Sequence, residues 1–223
     1  MKLTLTTFVT LDGIMQSPGA PNEDSSGGFR EGGWLVPFHD GQAGDLVVEQ
    51  FASADAFLLG RGTYEIFAGH WPRVTDPDDL IARSLNRLPK YVVSTTLHEP
   101  TWSGTTVITD DVVNRIRGLK DQPGRDLQVH GSHGLAQTLI RHQLIDEYRL
   151  WVYPLVLGRG KRLFGAGTVA TTFSRVDTRF TTTGVAVHTY RPSGTPSHGA
   201  FDVSSDGSQS SSASAGGPPP RRR

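Results

Sequence analysis

The chain has 223 residues, enough for one domain with a sizeable core, and its 22 basic residues are balanced by 22 acidic ones. A formal net charge of zero leaves no global field to draw in nucleic acid or a membrane surface, so neither is an expected partner. The absence of cysteine excludes disulfides, thiolate nucleophiles and every zinc site built on sulfur. Along the chain, short apolar runs alternate with segments of helical period. The pattern predicts a strand at Leu3–Thr10, a helix at about Gly44–Ser53, a strand at Ala56–Leu59 and a helix at Tyr64–Ala68. A helix at Pro77–Leu88 follows, with Asp76 as its expected cap and Pro77 at its first position, then strands at Tyr91–Ser94 and Thr106–Ile108. Next come a helix at Asp111–Leu119, whose Val112, Val113, Ile116 and Leu119 share one stripe, a strand at Leu127–His130 and a helix at Gly134–His142. From Tyr148–Pro154 the texture is strand-like, and Thr171–Thr182 and Val185–Arg191, joined through Gly184, read as a closing hairpin.

This alternation specifies an α/β fold: three layers, a mainly parallel central sheet with helices on both faces, and a C-terminal antiparallel hairpin. The domain is expected to span residues 1–192. Residues 193–223 are serine, glycine and proline with almost nothing to bury, so they are expected to be disordered. A second segment, Ser17 to Gly33, is rich in glycine, proline and acidic residues and reads as a lid after the first strand. The N-terminus carries one basic residue before a short apolar run, and no segment approaches 18 apolar residues, so a soluble cytoplasmic protein is the expectation.

The common cofactor motifs fail. Gly158-Arg159-Gly160 is followed by Leu163 where a dinucleotide fingerprint needs glycine, and no phosphate-loop motif with its lysine occurs. His130 and His133 form a lone H-x-x-H straddling a strand end and a helix start, with no third ligand nearby in sequence; no metal is expected. Two other segments place glycine and hydroxyl residues where a strand turns into a helix. In the first, Gly60-Arg61-Gly62-Thr63 follows Phe57-Leu58-Leu59; in the second, Gly131-Ser132-His133-Gly134-Leu135 follows Val129-His130. Glycine admits close approach of an anion, free N–H groups at a helix start point at it, and Arg61 adds charge. Ser94-Thr95-Thr96 supplies three hydroxyls at another strand end. Ligands of open α/β sheets bind at such carboxyl ends.

Several segments resemble one known family. They are Thr10-Leu11-Asp12-Gly13, Leu58 through Glu65, Pro89 through Ser94, Ile145 through Leu150 and, most specifically, Pro154 through Phe164. Together they resemble, over about residues 2 to 191, the reductase domain of riboflavin-biosynthesis deaminase/reductases and stand-alone dihydrofolate-reductase-like proteins. The resemblance implies a dihydrofolate-reductase-like fold. It implies NADPH held by Gly60, Arg61, Gly62 and Thr63, by Ser94 and Thr95, and by Gly131, Ser132, Gly134 and Leu135. It also implies hydride transfer to a ribosylaminopyrimidine or related small nitrogen heterocycle, and a homodimer. The deaminase partner's P-C-x-x-C ligands cannot exist in a chain without cysteine, so a bifunctional enzyme is not the expectation. A non-catalytic NADPH-binding protein and a true dihydrofolate reductase stand as alternatives.

Asp12, ending the first strand beneath the lid, is the candidate catalytic polar group, with Gly13 beside it; the other reading is a plain Asp-Gly turn. Asp45 lies near where folate reductases carry their pterin-binding carboxylate, or is an aspartate favoured by the helix dipole. Trp34 either stacks on a flat ring or packs the lid. Lys161-Arg162 either holds a substrate phosphate or is a solvated basic turn.

Overall fold

The computed structural model describes residues 1–203 and 209–213. β1 (Lys2–Thr10) is followed by α1 (Gly41–Phe51), β2 (Ala54–Gly60), α2 (Arg61–His70), α3 (Leu80–Arg87), β3 (Lys90–Val93) and β4 (Thr105–Ile108). Then come α4 (Val112–Lys120), β5 (Asp126–His130), α5 (His133–Arg141), β6 (Glu147–Tyr153), β7 (Thr172–Phe180) and β8 (Ala186–Gly194). One eight-stranded sheet has the order β4-β3-β2-β5-β1-β6-β8-β7. The first six of these are parallel, and β8 and β7 close the sheet antiparallel. This is the mainly parallel sheet with a C-terminal antiparallel hairpin that the alternation of elements called for.

Burial explains the layers. β2 carries Ala56, Phe57, Leu58 and Leu59 in unbroken succession because a parallel strand covered on both faces needs apolar residues on each. Leu58 faces α4 and α5, packing with Ile116, Leu119, Leu135 and Leu139, whereas Phe57 and Leu59 face Phe51 of α1, Tyr64 of α2 and Leu85 of α3. The stripe on α4 forms as predicted: Ile116 and Leu119 are buried, with Val112 and Val113 packed beside them.

The helix starts shift where a neighbouring side chain caps better. α1 begins at Gly41 because Asp40 accepts from the N–H of Ala43 at 2.7 Å. α2 begins at Arg61, one residue after its strand ends. α3 begins at Leu80 because Asp79, not Asp76, accepts the Ala82 N–H at 2.9 Å. Asp76 instead accepts from the N–H of Asp78 in the preceding turn. The boundary at residue 192 also moves. β8 runs on to Gly194 because Pro192 and Gly194 still pair with Phe173 and Thr172 of β7. Within the segment expected to lack structure, β9 (Gly199–Val203) pairs antiparallel with β10 (Gln209–Ala213) as a separate two-stranded ladder. The remaining residues of that segment, 204–208 and 214–223, lie outside the description.

Among the described residues no helix is long and apolar enough to cross a membrane.

Candidate active site

β5 ends at His130, opposite Thr6, while β1 continues to Thr10, so the sheet drops away at its carboxyl edge and leaves a crevice there. The crevice is a cleft of about 970 Å3 bounded by the starts of α2 and α5, the face of α1 and the Ser17–Gly33 loop. Gly60, Arg61, Gly62 and Thr63 line it from one side and Gly131, Ser132, Gly134 and Leu135 from the other. The two glycine turns are therefore halves of one site. Ser132 ties them together: its hydroxyl accepts from the Gly60 N–H at 2.9 Å and donates to Thr63 Oγ1 at 2.7 Å. Glycine at position 60 eases this approach, since a Cβ there would sit 3.1 Å from Ser132 Oγ and press on it. Gly131 and Ser132 both have positive φ, 56° and 58°, which turns the chain sharply from β5 into α5.

Arg61 lies half exposed at the rim, donating from Nε to Glu65 at 2.7 Å and from Nη1 to Thr96 Oγ1 at 2.6 Å. Ser94 and Thr95 do not line the cleft. The Ser94 hydroxyl accepts from the N–H groups of Thr96 and Leu97, so it builds the turn that carries Thr96.

Other predicted site residues are placed elsewhere. Asp12 does not line the cleft. Its carboxylate accepts from the Thr10 hydroxyl at 2.5 Å, the Leu157 N–H at 3.3 Å and the Gly158 N–H at 2.8 Å, with Arg162 3.6 Å away. Burial would raise its pKa, but those hydrogen bonds from Thr10, Gly158 and Leu157 outweigh it and hold the carboxyl below the usual range. Asp12 thus stays ionised and fastens the first turn to the 155–162 loop. Gly13, at φ 80°, is part of that turn. Trp34 is buried on Tyr153 in an edge-to-face contact at 5.3 Å and donates to the Gln16 carbonyl, so it packs the lid base. Asp45 is exposed on the outer face of α1. α1 turns Val47 and Phe51 to the cleft instead, which removes the carboxylate expected at that helix.

The basic turn is not merely solvated: it is ion-paired to the loop after β1, and Lys161 also lines the cleft. Arg159 meets Glu31 at 3.6 Å, Lys161 meets Asp24 at 2.6 Å and Arg162 meets Asp12. Gln16 reinforces the Lys161–Asp24 latch, donating to the Asp24 and Ser26 carbonyls and accepting from the Lys161 N–H. Gln16, Ser17, Asp24 and Ser26 also line the cleft, so the segment read as a lid does lie over it.

Beneath the cleft runs a polar row whose joint arrangement sequence reasoning passed over; of its members, Thr6 and His130 line the cleft itself. Asp126, Gln128 and His130 on β5, Lys2, Thr4 and Thr6 on β1, and Glu147 and Arg149 on β6 are neighbours in register and form a polar seam beneath α1. Arg149 donates to Asp126 at 2.7 Å and to Glu147 at 3.1 Å, and Ser53 donates to Asp126 at 2.7 Å. At the cleft end, His130 lies flat on Phe51 at 4.5 Å, with Nε2 3.0 Å from Gln128 Oε1. Burial, helped by the Arg149 charge, pushes its pKa down to about 3, so the ring is neutral. Burial and then the Lys161 ammonium likewise lower His133, also in the cleft. The available signal was a polar residue at every second position of a strand that should be buried on both faces.

A three-layer sheet whose ligand cleft lies at the strand carboxyl ends, between two helix N-termini and under a loop after β1, defines a dihydrofolate-reductase-like domain of reductase type. The RibD C-terminal domain family matches residues 1–187, and the chain belongs to that family. Uncharacterized protein YyaP of Bacillus subtilis (strain 168) is 28% identical over 195 residues, covering 86% of this chain and 96% of that protein. The fold is shared with a putative riboflavin biosynthesis protein from Shewanella sp. PV-4, at TM-score 0.64 and 18% identity over 86% of this chain and 99% of that one. It is shared with Enterococcus faecalis dihydrofolate reductase complexed with NADP(H), at TM-score 0.54 and 14% identity over 86% and 96%. A Thermotoga maritima diaminohydroxyphosphoribosylaminopyrimidine deaminase/5-amino-6-(5-phosphoribosylamino)uracil reductase gives TM-score 0.56 and 17% identity over 86% of this chain and 56% of that longer one.

Proposed function

We propose that this protein is an NADPH-dependent reductase of a small nitrogen heterocycle of the ribosylaminopyrimidine type. The observation that carries the reading is the Ser132 strap, which fixes two helix N-termini against one cleft. Unpaired N–H groups at the starts of α2 and α5 suit the diphosphate of a dinucleotide, and Gly62 and Gly134 leave the backbone open to it. Arg61, held toward Thr96, suits an adenosine 2′-phosphate; its pair with Glu65 is half exposed and weak, so a phosphate dianion outcompetes that carboxylate. When bound, NADPH supplies the hydride. The chain's own work is to orient the two rings in the cleft, and to exclude water with the Ser17–Gly33 loop latched by Lys161 and Asp24. Family membership and the fold it shares with the reductases above support the reaction class. The apolar face that α1 presents speaks against folate as the substrate.

Titration by quenching of intrinsic fluorescence tests the cofactor. NADPH is expected to bind more tightly than NADH, and Arg61→Ala to weaken NADPH roughly tenfold while leaving NADH unchanged. Equal weak binding of both nucleotides would sink the assignment. NADPH oxidation with the deaminated ribosylaminopyrimidine and with dihydrofolate then separates an enzyme from a binding protein.

A further inference from the structure

We propose that Thr6 and His130 form an uncharged donor–acceptor pair on the cleft floor that hydrogen-bonds an amide edge, an N–H beside a C=O, of the molecule bound there. The proposal rests on the cleft being the reductase site and adds what its floor recognises.

Three observations converge. Thr6 lines the cleft, is 4% exposed, and its Oγ1 has no hydrogen-bond partner among the described residues. An orphaned hydroxyl is costly in a strand where valine would fit, and retaining one at a ligand cleft is explained if a ligand completes it. His130 is its direct partner in register, and the proton position on that ring follows from its neighbours. Gln128 Nε2 donates to the Gln50 carbonyl at 2.7 Å and to Ser53, which orients the amide so that Oε1 faces His130. Nε2 of His130 therefore carries the proton and donates to that oxygen. Nδ1 is left as an acceptor, with no hydrogen bond to it from the described residues, the stack on Phe51 fixing the ring plane and the Gln128 bond fixing which nitrogen faces the strand. A hydroxyl donor and an imidazole acceptor, side by side and both neutral, match an amide better than a phosphate or a carboxylate.

Two molecules carry that edge: the nicotinamide carboxamide and a ring lactam of the heterocycle. The test uses the full chain with four probes. NADPH is compared with its 3-acetylpyridine analogue, in which methyl replaces the amide nitrogen, and 6-aminouracil with its 1,3-dimethyl derivative. Each is titrated into wild type, Thr6→Val, His130→Phe and, as a control, Thr4→Val, whose Oγ1 is also unpartnered but lies outside the cleft. Thr6→Val and Thr4→Val should both raise Tm, by roughly 2–4 °C, since each removes an unsatisfied buried hydroxyl. Only Thr6→Val should weaken binding, about fivefold, and His130→Phe should abolish the preference for the N–H-bearing probe. Loss confined to the NADPH pair assigns the floor to the carboxamide; loss confined to the uracil pair assigns it to the heterocycle. If Thr6→Val is stabilised and binds all four probes as wild type does, the proposal is overturned, whatever happens to the fold of His130→Phe. Failure of wild type to bind NADPH would overturn the reductase reading instead, while the uracil arm still decides the floor.

Discussion

Ser132 sits in left-handed backbone, φ 58° and ψ 70°, a conformation costing a non-glycine residue about 1 kcal/mol. Its two hydrogen bonds, to the Gly60 N–H and Thr63 Oγ1, each offset an amount of that order. Ser132→Gly relieves the backbone and loses both bonds, whereas Ser132→Ala loses both and keeps the strain. Urea denaturation should therefore rank wild type above Ser132→Gly, and Ser132→Gly above Ser132→Ala by about 1 kcal/mol. An alanine variant as stable as the glycine one would refute the strap. At this scale the sequence showed the residue types and not their partners. The Gly131-Ser132 turn was legible, but its closure onto Gly60, 72 positions away in the chain, was not. Asp12 and Trp34 misled because a strand-end carboxylate and a loop indole look alike whether they face a cleft or the protein's own backbone.

Element boundaries depend on competition between nearby caps, which explains where periodicity was too coarse. Asp76-Pro77 carries every sign of a helix start, yet Asp79 lies three residues nearer the first buried turn and takes the role. Asp79→Ala should cost about 1 kcal/mol and Asp76→Ala less than about 0.5 kcal/mol by the same denaturation measurement. The reverse order would restore the earlier start. On β5 the alternation of Asp126, Gln128 and His130 was visible in the sequence, but its meaning needed the register. Only beside Thr4, Thr6, Glu147 and Arg149 do these residues become a seam leading to the ligand cleft.

For the molecule as a whole, fold class was legible because burial on both faces of a parallel sheet leaves its mark on every strand. Strand order was not, since no local pattern says that β1 lies between β5 and β6. Global stability should also carry an unusual pH signature from Lys90, which is fully buried at the junction of α3, β3 and Trp102. Its ammonium donates to the Leu85 and Leu88 carbonyls and lies 4.6 Å from the Trp102 ring centre, and burial lowers its pKa to about 8. Between that value and the unfolded value the unfolded chain binds more protons than the native one, so stability rises with pH across this window. Buried Tyr148, pushed up to about 12, acts in the opposite sense once free tyrosines ionise near about pH 10. The urea midpoint should accordingly increase from about pH 7.5 to about pH 9.5 in wild type and stay flatter in Lys90→Met. Parallel pH profiles for the two proteins would contradict this account.

The placement of β1 bears on how the chain is made. Of this domain's strands it is made first, yet its partners are Asp126–His130 and Glu147–Tyr153. β2, β3 and β4 can pair as soon as they emerge, whereas β1 keeps both edges open until β5 has been synthesised and one edge open until β6 follows. Core closure is therefore a late, long-range event: chains stalled before Asp126 leave β1 with nothing to pair it, and chains stalled between His130 and Glu147 leave its second edge open.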